Sequence, residues 1–166
     1  MVGRFFALMM LVACAPEAVE PGTLPSGFAR STGCGDVELV LVDALGENAL
    51  LVRSEGVVAM AHALEDVVQR SWDLPHPEVT VELITGENLF ALTCEADGDA
   101  VVDDVMEPSA GRLSLNVTPQ GGVRQKTLPG ARVDVVAEDL LLEGDPGHQI
   151  AIPSLDEDVL VQSVLR

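Results

Sequence analysis

From residue 37 onward apolar and polar residues alternate with a period of two, the pattern of strands that bury one face. Over 37–42, Val37, Leu39 and Leu41 share a face; over 79–84, Val79, Val81 and Leu83 do so while Thr80 and Glu82 point away. Over 112–118, Leu113, Leu115 and Val117 alternate with Arg112, Ser114, Asn116 and Thr118. Phe90, Leu92 and Cys94 also fall on one face, which would aim the cysteine at the core. Further strands are predicted at 49–53, 67–74, 132–142 and around 159–161. Turn-forming clusters separate them: Leu45-Gly46-Glu47-Asn48, Pro75-His76-Pro77, Gly86-Glu87-Asn88, Pro119-Gln120-Gly121-Gly122 and Gly144-Asp145-Pro146-Gly147. One stretch departs from the rule. Val57, Met60, Ala61 and Leu64 repeat at helical spacing and predict a short helix over 57–64. Several short strands, frequent turns and one short helix predict a mainly β domain, an antiparallel β-sandwich. No repeat of 20–50 residues is visible, which argues against a solenoid or propeller.

The N-terminus follows a different grammar. It runs MVGRFFALMMLVAC, with Arg4 ahead of nine uninterrupted apolar residues from Phe5 to Ala13. Nine residues suit the apolar core of a signal peptide and fall well short of the roughly 20 a spanning helix needs. The run closes in Leu11-Val12-Ala13-Cys14, which resembles the lipobox of bacterial lipoprotein signal peptides. That resemblance implies removal of residues 1–13, a diacylglycerol thioether on Cys14 and a further acyl chain on its freed amine. Several acyl chains anchor stably where one gives only marginal binding. The implied location is the cell envelope, with the bilayer reached through the acyl chains of Cys14. Ala15 rather than Asp follows the cysteine, which favours the outer over the inner membrane. Cys34-Gly35-Asp36, with a second cysteine closing a later strand, is also similar to the opening of small β-rich bacterial lipoproteins. That likeness implies a β-rich fold and no activity.

Residues 15–33 hold three prolines, three glycines and no hydrophobic period, so 14–33 is expected to be a lipidated tether and 34–166 the folded domain. Beyond Cys14 the chain has two cysteines, Cys34 and Cys94. An exported protein sits in an oxidising compartment, where an even pair most often forms a disulfide. A metal or catalytic thiol would need a histidine or second cysteine at short spacing, and neither has one.

Composition narrows the chemistry. The chain carries 27 acidic and 9 basic residues, a formal charge of −18. Removing residues 1–13 takes Arg4 and no acid, leaving 8 basic against 27 acidic, a formal −19. No basic run exists, so a nucleic-acid backbone would be repelled. After residue 13 only Phe28, Trp72 and Phe90 are aromatic, too few for a stacking surface for sugars or single strands.

Residues 95–107 concentrate six carboxylates in 13 positions. Asp97, Asp99, Asp103, Asp104 and Glu107 supply the oxygen ligands that Ca²⁺ wants. The EF-hand pattern nevertheless fails, with Val102 where that loop needs glycine; a solvated loop that deters aggregation is the competing expectation. His62, His76 and His148 lie far apart, with no HExxH and no short Cys/His spacing. No serine sits in a Gly-x-Ser-x-Gly elbow, and no catalytic residue is assigned. The sequence thus predicts a non-enzymatic envelope lipoprotein that acts as an interaction or structural module with an envelope protein partner. Its rivals are an exported hydrolase whose carboxylates and histidines converge in space, and a Ca²⁺-dependent adhesion domain.

Overall fold

The structure, a computed structural model, describes residues 21–24, 27–93, 98–121, 130–144 and 148–162. Among them lie strands β1 (Gly22–Thr23), β2 (Phe28–Cys34), β3 (Val37–Asp43), β4 (Asn48–Ser54), β5 (Val68–Asp73), β6 (Val79–Glu87), β7 (Val101–Gln120), β8 (Gly130–Glu143) and β9 (Gln149–Gln162). Helix α1 (Val57–Leu64) sits between β4 and β5, where the 3.6-residue repeat predicted it.

Strands β2, β3, β4, β6, β7, β8 and β9 each pair antiparallel with the next. The ring then closes, because β9 lies parallel to β2 with Gly33 opposite Val161 and Cys34 opposite Gln162. The expected sandwich is therefore corrected to a closed seven-strand barrel with one helix. Alternation reveals which face of a strand is buried but not which strand lies beside it. The same inward faces that would fill the gap between two sheets here fill a single cylinder.

The cylinder is solid. Leu39, Leu41, Leu50, Val52, Leu83, Met106, Leu113, Leu115, Val133, Val135, Leu142 and Val159 meet inside it, with Val57, Val58 and Ala61 of α1 joining the same cluster. Seven strands leave room for side chains and little else. An apolar interior inside a largely polar exterior is also the reverse of a barrel that spans a membrane.

Strands β3 and β4 bury both faces. Val40, Val42, Ala49 and Leu51 point outward and are covered by Leu89, with Phe90, Leu92 and Ala100 packed against them. Here a second expectation is corrected. Residues 90–92 form no strand but a 3₁₀ turn, Leu89–Leu92, which lays its apolar side chains over that outer face. Phe90 approaches Gly46, and the guanidinium of Arg30 lies 4.7 Å from its ring centroid.

The acidic stretch differs as well, since 101–107 is the first part of β7 rather than loop. β1 and all of β2 but Cys34 lie within the stretch expected as tether: Gly22 and Thr23 pair with Ile150 and Ala151, and Leu24 and Phe28 pack against the core. Cys34 is the single cysteine described. No disulfide joins two described cysteines, so the expected Cys34–Cys94 bond does not appear among them. The Cys34 sulfur is nonetheless engaged in a disulfide, and Cys14 and Cys94 both lie outside the described residues.

Pairing also defines the two ends. The β3–β4 turn, the start of β7, the β8–β9 connection and β1 share one end, tied by Gly86 N–H donating to Glu47 O at 3.0 Å and by His148 beside Asp104 at 3.5 Å. The β2–β3 turn, the start of α1 and the β5–β6 connection share the other. At the first end Asp43, 2% exposed, accepts the backbone N–H groups of Leu45, Gly46 and Glu47 and the Asn48 side-chain amide at 2.7–3.1 Å. Burial pushes its pKa up, but these hydrogen bonds outweigh burial and hold it below the ordinary 3.8.

Two predictions follow from these contacts. Asp43→Ala should cost about 2–3 kcal/mol at neutral pH by urea denaturation. A folded-state pKa below the unfolded one gives stability that is complete above the unfolded value and lost as pH falls through the folded value. The gap between parent and variant should therefore close as pH drops below 3.8; a gap independent of pH would contradict it. Gly33 marks the seam, because a Cβ there would lie 2.7 Å from Val161 Cγ2 and 2.9 Å from Leu39 Cδ2. Gly33→Ala should cost about 1–3 kcal/mol by overpacking, whereas Gly27→Ala, with nothing within 4 Å of its Cβ, should be near neutral.

Candidate functional site

A cleft of about 700 Å³ opens at the helix end of the barrel. Its origin lies in the path of β7. The first part of that strand pairs with β6, through Val101–Met106. Bulges between Pro108 and Ala110 and between Ala110 and Arg112 then bend it. Gly111 takes φ 125° at that bend, and a Cβ there would lie 2.7 Å from Leu140 Cα. Past the bend the same edge of β7 pairs with β5, from Arg112 opposite Asp73 to Val117 opposite Val68. Strand β4 reaches only as far as Ser54, opposite Val79, before the chain turns into α1. β5 thus projects past the end of β4 with no strand on its other side among the described residues.

Arg70 and Trp72 of β5 line the cleft, together with Glu55, Gly56 and Val57 at the start of α1 and Met60 within it. Trp72 is buried and donates its Nε1–H to Glu78 Oε2 at 3.2 Å. Glu78 is positioned in turn by its backbone, whose N–H donates to His76 Nδ1 at 3.2 Å and whose carbonyl accepts from Ser54 Oγ at 3.3 Å. The Trp72 and His76 rings lie 6.4 Å apart.

Asp36 fixes the helix. Its carboxylate accepts the backbone N–H groups of Gly56, Val58 (2.7 Å) and Ala59 (3.3 Å), the groups a helix start leaves unpaired. The helix brings no acid of its own to its first turn, so a side chain from the β2–β3 turn supplies the cap and sets one wall of the cleft.

The cations of the cleft are not equivalent. Arg53 meets Glu38 at 3.4 Å and Glu82 at 3.3 Å. Arg70, by contrast, donates only to the thioether of Met60 at 3.4 Å. Elsewhere Arg112 pairs with Asp73 at 3.0 Å, Arg132 pairs with Asp158, and Arg30 covers Phe90. Among the described residues Arg70 is thus the guanidinium with neither a carboxylate nor an aromatic face.

The residues singled out in the sequence lie elsewhere. Asp103 and Glu107 are exposed on β7, while Asp104, partly buried, faces His148 at the far end. Consecutive strand residues point to opposite faces, so this run does not converge; Asp99 precedes the strand and Asp97 lies outside the described residues. His62 contacts Gly130 O at 2.9 Å, His76 receives Glu78 N–H, and His148 stands at the opposite end. The three histidines are not brought together. Among the described residues no group of three or more His, Cys, Asp or Glu side chains is placed to hold a metal ion. Cys14 is outside them.

Arg70, Trp72 and Asp36 were not singled out as functional residues from the sequence. One signal was available: an arginine stands on the strand face that Val68 and Trp72 share. No family model, curated protein or solved structure matches this chain.

Asp36→Ala should release the start of α1, lowering stability by about 1 kcal/mol. Trp72 is the one tryptophan of the chain, so its emission reports on this cleft without interference. Acrylamide quenching of Trp72 should rise in the variant; unchanged quenching would mean that Asp36 does not shape the wall.

Proposed function

We propose that this chain is a lipid-anchored protein of the bacterial envelope that acts through binding rather than catalysis, presenting the cleft at the helix end to a partner. The carrying observation is the sequence from Arg4 through the apolar run to Leu11-Val12-Ala13-Cys14. The fold adds support: the described chain begins at the end opposite the cleft, where β1 pairs with the start of β9. That orientation suits an anchor upstream of β1 and a cleft turned to a partner. The interior is filled by side chains, which leaves the outer surface, and the cleft in particular, for recognition. Ala15 after Cys14 favours the outer membrane as the site of anchoring.

Expression in a bacterium with radiolabelled palmitate tests the anchor. The chain should take up label and sediment with membranes, and Cys14→Ser should abolish both. Recovery of the parent chain unlabelled in the cytosol, with Met1 still in place, would refute the proposal.

A further inference from the structure

We infer that the cleft receives an extended peptide, added as a strand to the free edge of β5 and held by a carboxylate on Arg70. The inference deepens the binding role proposed above and rests on it. Three independent features converge.

The first is backbone geometry. β4 pairs with β6 up to Ser54 opposite Val79 and stops, whereas β5 continues the wall beyond that point along β7. A strand laid on the edge of β5 would take the lane that β4 leaves when its chain turns into α1. An unpaired edge offers backbone N–H and C=O groups that an extended peptide satisfies, with side-chain pockets adding selectivity. The cleft's roughly 700 Å³ falls in the range of ligand sites.

The second is charge. The chain has 27 acidic residues; Arg53 meets two of them and Arg112 and Arg132 one each. Arg70 has only the Met60 sulfur, a weak acceptor. A planar guanidinium takes a carboxylate through two parallel hydrogen bonds. Arg70 lies on the face of β5 that Val68 and Trp72 share and is itself exposed, so its guanidinium is open to a ligand entering the cleft beside buried Trp72.

The third is the floor itself. Buried Trp72 and Val57, with Met60 at the rim, give apolar surface for the inward side chains of an added strand. Methionine adapts to varied shapes. Glu55, exposed and paired with no cation among the described residues, also lines the cleft and adds the other sign of charge, as do Asp36, Glu38 and Glu78.

The probe is an acetylated hexapeptide of alternating threonine and valine, titrated into the full chain while Trp72 emission is followed. Three forms are compared: one with a free C-terminal carboxylate, its C-terminal amide, and an amide with one internal threonine replaced by glutamate. The free acid should shift Trp72 emission saturably, and the plain amide should bind at least about ten-fold more weakly. Equal strength for the glutamate-containing amide and the acid would show that Arg70 takes a side-chain carboxylate as readily as a terminal one. Arg70→Gln should bring all three forms to the affinity of the plain amide at an unchanged thermal midpoint. Arg112→Gln, outside the cleft, should keep the discrimination. Methylation of alternate peptide nitrogens should abolish binding.

Binding of acid and amide with equal strength would overturn the role of Arg70, and undiminished binding of the methylated peptide would overturn strand addition. If no form moves Trp72 emission at millimolar concentration, the cleft is not a peptide site. The lipid anchor would then still stand or fall on Cys14 labelling alone.

Discussion

Seven strands that each have an apolar face can hide those faces between two sheets or inside one ring, and the difference here lies in two residue pairs. Gly33 and Cys34 of β2 lie against Val161 and Gln162 of β9. The pairing is parallel, although every other junction in the ring is antiparallel, and it joins strands from nearly opposite ends of the chain. Such contact must overcome the entropy of closing the chain between residues 33 and 161. The absence of a side chain at position 33 permits it, since a β-carbon would collide with Val161 and Leu39. Everything enclosed by the ring depends on that join.

The ring is finished differently at its two ends. At one, a buried aspartate organises the β3–β4 turn through hydrogen bonds to consecutive backbone amides. At the other, an aspartate from the β2–β3 turn reaches across to the first turn of the helix. Both use a carboxylate to satisfy backbone donors. In the first case it tightens a connection within one hairpin. In the second it holds together two elements separated by β3 and β4, and so shapes a surface depression as well as a fold.

Much of the secondary structure was legible because period two is a strong local signal. Leu113, Leu115 and Val117 face inward as their alternation required, and the helix falls on residues 57–64. At the 3₁₀ turn the period misleads, because Phe90 and Leu92 are apolar at spacing two while covering the outside of β3 and β4. Over 101–107 carboxylates suggest solvent and loop, yet an outward strand face is solvated too. Closure was not legible at all: nothing in the spacing of Gly33 or Val161 announces a neighbour more than a hundred positions away. The cleft was hidden for the same reason, since it arises where β7 passes from one partner to another. Arg70 breaks the local alternation, as an exposed charge on the face of β5 that Val68 and Trp72 share. Export and lipid attachment remain what the first 14 residues imply.

The bend in β7 has a consequence for how such a surface can change. Because β6 and β5 occupy successive lengths of the same edge, the aperture between β5 and the end of β4 is set by backbone curvature at Gly111 and the adjoining bulges. The groups exposed within that aperture, such as Glu55, Met60 and Arg70, take little part in the enclosed packing. Substitutions among them would alter what is recognised while the gap keeps its width, so selectivity and architecture can vary separately.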